Sequence, residues 1–409
     1  MAADQAPEPA MAAGDDPRAF AAVLHAVYDA RMSGDRAPAR PRAVIGDSWD
    51  RVQQAGVDPD SGTPTPTLDR TQLAFRRSES GLGEVLDAVM HHLDTLIADG
   101  DNVLVVADAN GQVLWRDGHP QVLCRADRLG FAEGASWAET AVGTNAIGTA
   151  LASGRAVQVF SAEHFVRSHH AWTCAGAPIH DPRTGGVLGV VDVSGPAATI
   201  HPTTLALVDT VAKLAESQLR ERHRSRLDTL RTVAAPMLAR SSGPVLAVDG
   251  FGWVAAVDGV SPRERLPLPQ ACPPGRLYLH GLGDCDLEPL PGGWLVRVTA
   301  PDDGRTRQVL LEIPGEQAAD PLVRVSGADG SWVHRPSPRH AQLLRLLARN
   351  PGGMTAAELA VALFGDAART VTVRAEISRL RKRFGALLLA EPYRLAATVV
   401  PVVDGTPAP

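Results

Sequence analysis

The densest run of reactive side chains in the 409 residues is Glu163, His164, His169, His170 and Cys174. Carboxylate, imidazole and thiolate are donors for zinc, iron or haem. Their spacing fits no closed zinc pattern, so no metal or other cofactor is expected, and the histidines are read as facing solvent or a ligand. A second possible chemistry pairs Cys124 and Cys174 as nucleophile and resolving thiol of a redox enzyme. With Cys272 and Cys285 they form no CxxC pair, which suits ordinary thiols in a reducing compartment. No Ser/His/Asp motif, paired catalytic carboxylates or dinucleotide fingerprint stands out, and no catalytic residue is assigned. A third group is cationic. Thr372, Arg374, Ser378, Arg379, Arg381, Lys382 and Arg383 surround an apolar stripe of Val373, Ile377, Leu380 and Phe384. A helix apolar on one side and cationic on the other suits contact with phosphates and base edges of duplex DNA, although such a face is often merely solvated.

These groups need elements to hold them. With 44% hydrophobic and 21% charged residues, the chain can build several globular cores and is neither collagenous nor disulfide-stapled. No apolar run approaches the roughly 18 residues of a membrane-spanning helix, and the acidic start lacks a signal-peptide pattern, so a cytoplasmic protein is expected. The net charge of −6 conceals an asymmetry: 28 basic against 40 acidic residues precede Pro321, and 12 against 6 follow. A basic end on an acidic body is expected where one end meets a polyanion.

Residues 1–17 read as a disordered leader and 18–82 as a helical N-terminal segment. Val85, Leu86, Val89, Leu93, Leu96 and Ile97 recur at helical spacing over residues 83–98. Strands are expected at 103–107 and 113–115, joined by an Asn110-Gly111 turn, and again at 156–160, 172–179 and 187–193. Ser136 and Glu139 form a capping-box pattern at the head of a helix running to residue 152. A long helix over 203–237 reads as a signalling or dimerising element, with a plain helix packed on its own sheet as the alternative. Residues 223–241 serve as its coupling portion. Residues 242–320 suggest a small β-rich module without recognisable chemistry.

At the C-terminal end, Ser337-Pro338 opens one helix, and the capping box Thr355–Glu358 opens a second. The third is the cationic helix, stopped by Gly385, and a hairpin containing Arg394 follows. Arg339, Arg345 and Arg349 add to the positive charge. Helices followed by a hairpin form the pattern of a winged helix-turn-helix. Residues 371–385 resemble the recognition helix of the OmpR-type winged helix family, and Val323-Arg324-Val325 with Trp332-Val333 occupy the place of that family's preceding strands. The resemblance covers about 322–400 and implies dimeric binding to repeated DNA sites.

A second resemblance rests on Ser136–Glu139, Val142–Leu151, Glu163–Phe165, Trp172–Asp181 and Gly189–Gly195. Together they are similar to the GAF domain of acetoin and glycerol catabolism regulators. The likeness covers about 84–222, and residues 45–49 and 55–59 resemble the segment that precedes it in those regulators. It implies a small-molecule pocket, for which Trp137, Glu139, Asn145, His164, Phe165, His169, Trp172 and Cys174 are the candidate residues. The bland alternatives are a core or hairpin role for the tryptophans, capping by Glu139, and a loop tie by Asn145. Such regulators generally continue into a sigma-54 ATPase. A phosphate loop requires GxxxxGK[ST], and the only lysines, Lys213 and Lys382, follow no glycine.

The expected architecture is therefore an α+β multidomain chain. A GAF sensor occupies 83–222, the β-rich module 242–320, a winged helix 321–400 and a disordered tail 401–409. Its function would be one-component transcriptional regulation by a homodimer, with duplex DNA, an unidentified small molecule and RNA polymerase as partners. A thiol redox enzyme, a redox or metal sensor, and a ligand-gated protein-interaction module are the competing classes.

Overall fold

The structure is a computed structural model. It describes residues 8–60, 68–98, 101–269, 272–279, 281–301, 309–315, 322–327, 330–384, 387–390, 392–396, 399–403 and 406–407. The chain divides into two compact units, Met1–His223 and Arg224–Pro409.

In the first unit, helices α1 (Pro17–Ser33), α2 (Ala43–Gln54), α3 (Arg70–Glu79) and α4 (Leu86–Ala98) precede the sheet. Asp16 caps α1 by accepting from Arg18 N, and Pro17 supplies its pre-set first turn. The strands are β1 (Val103–Asp108), β2 (Val113–Gly118), β3 (Val157–Phe160), β4 (Trp172–His180) and β5 (Val187–Pro196). They lie in the order β2-β1-β5-β4-β3, with every neighbouring pair antiparallel. Between β2 and β3 run α5 (Pro120–Asp127), α6 (Glu139–Val142) and α7 (Ala146–Ser153). The long α8 (Pro202–Leu238) follows β5.

Alternation along the strands divides the core in two. Val103, Val105, Ala107, Val159, Cys174 and Val190 face one side, where Tyr28 of α1, Trp49 of α2 and Val122 of α5 complete the packing. Leu104, Val106, Ala175, Ala177, Val191 and Val193 face the other. That side is covered by Val89 and Leu93 of α4 and by Leu205, Val208, Ala212, Ala215 and Leu219 of α8. With both faces covered, the strands are buried almost throughout at β1, β3 and β4. The first half of α8 is thus a helix packed on its own sheet.

The second unit begins with the end of α8, where Leu230, Ala234 and Leu238 pack on Val245, Ala247 and Leu295. Those last three residues belong to a sheet of β6 (Val245–Asp249), β7 (Val254–Asp258), β8 (Gly275–Leu279), β9 (Gly283–Leu290) and β10 (Gly293–Pro301). Its order is β7-β6-β10-β9-β8, again wholly antiparallel. Counted along the chain, this is the order of the first sheet: second, first, fifth, fourth, third.

The first hairpin is repeated in detail. Asp108 Oδ1 accepts from Asn110 N and Gln112 N at 2.8 and 3.0 Å. Asp249 Oδ1 accepts from Phe251 N and Trp253 N at 2.8 Å each. Gly111 and Gly252 hold the left-handed corner at φ 79° and 82°, a conformation that disfavours side chains. Each hairpin carries a register shift one or two residues before its aspartate.

A third sheet contains β11 (Val309–Ile313), β12 (Val323–Gly327), β13 (Gly330–His334), β16 (Val399–Val403) and β17 (Thr406–Pro407), in the order β13-β12-β11-β16-β17. Strands β11 and β16 run parallel. Helices α9 (Pro338–Arg349), α10 (Ala356–Phe364) and α11 (Thr370–Phe384) lie between β13 and β16, followed by the hairpin β14 (Leu388–Leu389) and β15 (Arg394–Leu395). Ser337 caps α9, and Thr355 with Glu358 forms the capping box of α10. Leu343, Leu347, Leu359, Val373, Ile377, Leu380 and Phe384 share one core with Leu311, Val325 and Val399.

Several expectations are corrected. Ala10 and Met11 of the supposedly disordered leader are buried, because Ala10 N donates to Gln158 Oε1 at 3.0 Å and Met11 finds an apolar slot; residues 1–7 lie outside the described residues. Ser136 caps no helix: it bridges to Gln112, Ala138 precedes α6, and Gly143–Asn145 divide the expected helix into α6 and α7. Helix α8 ends at Leu238, so residues 239–241 of the expected coupling portion lie beyond it, while 223–238 continue the long helix as expected. Val309–Ile313 leave the β-rich module to join the C-terminal sheet, and Pro401–Val403 of the expected tail belong to strand β16, since the parallel pairing of β11 and β16 buries Leu311 and Val399 together. Gly385 and the side chains of Leu96, Trp332, Lys382 and Arg383 lie outside the described residues.

Candidate functional site

The central strand β5 breaks its run of valines with Asp192 and Ser194, and these stand opposite Gly176 and Cys174 of β4. Ser194 Oγ donates to Asp192 Oδ2 at 2.6 Å. Asp192 is 1% exposed, and its Oδ1 has no hydrogen-bond partner. Burial raises its pKa to about 7, against the lowering effect of the Ser194 bond. Cys174 is pushed well above the ordinary thiol range by burial and by Asp192, again against Ser194. Its Sγ lies 3.4 Å from His164 Nε2, and His164 Nδ1 lies 3.0 Å from Ser161 O.

Burial, followed by His169, lowers the His164 pKa to about 3. The imidazole is therefore neutral at pH 7. With Nδ1–H donating to the Ser161 carbonyl, Nε2 is left to accept from the Cys174 thiol. Ser161 itself adopts φ 48°, an uncommon conformation for a residue other than glycine.

His169, lowered to about 4 by burial and then by His170, stacks on Trp137 with centroids 5.1 Å apart. Trp137 packs in turn on Phe131 at 4.2 Å. Both rings are buried, yet Trp137 Nε1 and His169 Nδ1 have no partner. Unsatisfied buried polar atoms are uncommon in native proteins, and each calls for an explanation. Here three occur among side chains of one apolar cluster, beside a His164–Cys174–Ser194–Asp192 chain.

Other candidates serve the fold. Glu139 Oε1 accepts from Ser48 Oγ at 2.6 Å, and Arg51 grips both carboxylate oxygens at 2.7 and 2.8 Å. Asn145 Oδ1 caps α7 at Gly148 N, while its Nδ2 donates to Trp137 O and Gly143 O. Phe165 is buried, and its carbonyl accepts from Tyr28 Oη at 2.7 Å. Trp172 sits at the start of β4 in the same cluster. Glu163, weighed as a metal ligand, is held by Arg42 through two bonds of 2.8 Å and accepts from Phe160 N. Among the described residues no group of three or more His, Cys, Asp or Glu is placed to hold a metal ion. Cys124 is exposed on α5 while Cys174 is buried. The raised pKa of Cys174 opposes thiolate chemistry.

In the second unit, α11 buries Val373, Ile377, Leu380 and Phe384. It exposes Thr372, Arg374, Ser378, Arg379 and Arg381, and Arg394 is exposed on β15. Arg379 Nη1 donates to Glu376 Oε1 at 2.6 Å. Two arginines counted toward the positive charge are engaged in packing. Arg339 stacks on Phe364 at 4.5 Å and donates to Leu363 O, and Arg345, 9% exposed, donates to Pro314 O.

Over 407 residues the chain is 30% identical to the "uncharacterized 47.3 kDa protein in thcA 5′ region" of Rhodococcus erythropolis, covering 97% of this chain and 75% of that one. The chain belongs to that protein's family. Residues 33–221 match the family described as MimR, N-terminal domain. Over 191 residues the chain is 38% identical to the acetoin dehydrogenase operon transcriptional activator AcoR of Bacillus subtilis (strain 168), which is 46% of this chain but 31% of AcoR. A chain of the crystal structure of the E. coli DhaR(N)–DhaL complex aligns at 20% identity and TM-score 0.45, over 63% of this chain and all of that one.

The matched stretch contains Asp192, Ser194 and the clamps Arg42, Ser48 and Arg51, none of which sequence reasoning assigns to the site. Asp192 and Ser194 leave a signal: two polar residues at alternate positions beside Val190, Val191 and Val193 of a strand otherwise without polar side chains. The arginine clamps leave none, because their partners stand 88 and 121 residues away.

Proposed function

We propose that this member of the family is a one-component transcriptional regulator, in which a GAF-type N-terminal unit senses a small molecule and a C-terminal winged helix-turn-helix binds duplex DNA. The DNA reading is carried by α11, apolar toward its core and cationic outside, within a three-helix and hairpin arrangement. Match to the MimR N-terminal domain supports the sensory half, and the orphaned Trp137 Nε1, His169 Nδ1 and Asp192 Oδ1 support a ligand on that face of the sheet. A pocket of apolar walls and a few convergent polar groups is the usual form of a small-molecule site. Homodimeric binding at repeated sites is part of the proposal. In the proposed cycle, ligand shifts the packing of α4 against the first half of α8, elements that share a core, and so changes DNA affinity.

The test is duplex binding by the full chain across a salt series. Phosphate neutralisation predicts that affinity falls steeply as salt rises. Replacing Arg374 and Arg381 with Ala is expected to weaken binding to all duplexes and to reduce the salt slope by about one for each phosphate left without its arginine. Salt-independent binding, or an unchanged slope in the double variant, would remove the DNA assignment.

A further inference from the structure

Helix α11 presents one large apolar side chain to solvent where helix-forming and charged residues would serve better. Val371 is 74% exposed at the second position of the helix. Its β-branch lowers helix propensity, and little of it is buried. Exposure alone carries no weight, since Val333 and Val361 are also exposed. Angular position does.

At 3.6 residues per turn, each position rotates about 100°. Measured from the centre of the Val373, Ile377, Leu380 and Phe384 stripe, Val371, Ala375 and Ser378 all fall within about 50° of the line farthest from the core. Arg374 and Arg381 stand only about 70–90° from the stripe centre, on one flank of the helix. Arg379 shares the outer face but is tied to Glu376. The outermost strip is thus small and apolar near its start, with cations beside it and position 382 on the same line at its far end.

We propose that Val371, with Ala375 and Ser378, forms the base-reading surface of α11, and that Val371 seats on the C5-methyl group of a thymine. The inference rests on the DNA reading proposed above. A helix of ~10–12 Å diameter fills a major groove of about 12 Å, and the residues at its N-terminal end reach the base edges. In that pose Arg374 and Arg381 meet the phosphates along one wall of the groove. They supply affinity without sequence preference, while the methyl contact supplies preference with little affinity. A valine isopropyl group has no hydrogen bond to offer a base edge, and the thymine methyl is the apolar feature that the major groove displays.

The experiment uses the full chain and a duplex selected by it from a randomised pool at fixed salt. Each thymine of the selected site is then replaced singly by deoxyuridine, which lacks only the methyl group. One such replacement in each half-site is expected to weaken binding by about fourfold, the value of one buried methyl-sized group. Val371→Ala should bind thymine and uracil duplexes equally, with the affinity that the natural chain shows for the duplex in which the contacted thymine of both half-sites is replaced. Arg374→Ala should weaken both alike and keep their ratio. Equal binding of all uracil duplexes by the natural chain, or a ratio retained in Val371→Ala, would overturn the methyl contact and leave DNA binding standing. Failure to select any duplex would overturn both.

Discussion

Asp192 places a carboxyl group inside an apolar cluster with one oxygen bonded to Ser194 and the other bonded to nothing. The consequence for stability has a definite sign. An unfolded aspartate ionises near 3.8, whereas the folded group holds its proton to about 7. Between those values the native state binds more protons, so stability falls as pH rises, and the loss is complete above about 7. His164, His169 and His170 work in the opposite sense, for their folded values lie at about 3, 4 and 4 against 6.5 unfolded. The unfolded state takes up protons first, and stability falls as pH drops below 6.5. Asp192→Asn removes only the first effect. Its melting temperature relative to the natural chain should therefore rise with pH from about 4 to 7 and level off beyond, as read by circular dichroism. A difference that does not vary with pH would show that Asp192 is not a buried acid. The histidines of this site are legible in the sequence as a cluster of donors, but their role is not. Ligation needs convergence on one point, and here each imidazole is turned to a different neighbour: Ser161 and Cys174, Trp137, and Tyr28.

At the scale of elements, strands and helices are readable wherever hydrophobic period and capping chemistry agree, as at β1, β4, α9 and α10. Failures come where a partner distant in sequence decides the outcome. Ser136 and Glu139 satisfy the capping pattern, yet Arg51 and Ser48 take the carboxylate. Val399–Val403 has the composition of a strand, but only β11 gives it a neighbour. The repeat of the first sheet in the β6–β10 module is hidden from composition and periodicity because it resides in topology and in one turn, Asp-x-x-Gly-x-Val, at residues 108–113 and 249–254. In both turns the aspartate carboxylate satisfies two backbone N–H groups that the tight corner leaves without strand partners. Asp108→Ala and Asp249→Ala should each destabilise by about 1–3 kcal/mol, the cost of leaving such groups unmade. Chemical denaturation of each variant measures this. If either substitution proves neutral, that turn owes its shape to the glycine alone.

The molecule as a whole carries two separate sets of cores, one on each face of the first sheet and others in the residues beyond 223. The 12 basic residues after position 320 all lie in the second unit. Near the end of the chain, β16 lies beside β11, and Val399 enters the core that supports α11. A chain lacking residues 399–409 loses that strand and exposes an edge of β11. Calorimetry of the natural chain is expected to show melting of both units, and the shortened chain should lose the part of the second unit's melting that comes from the core containing Val399 while keeping that of the first unit. Saturating duplex should raise only the second unit's transition in the natural chain, by about 2.7 kcal/mol at a hundredfold excess over Kd, and should have no effect on the shortened one. A shortened chain that still binds duplex with natural affinity would show that α11 is held in place without the terminal strand, and would confine the DNA reader to the helices and their hairpin.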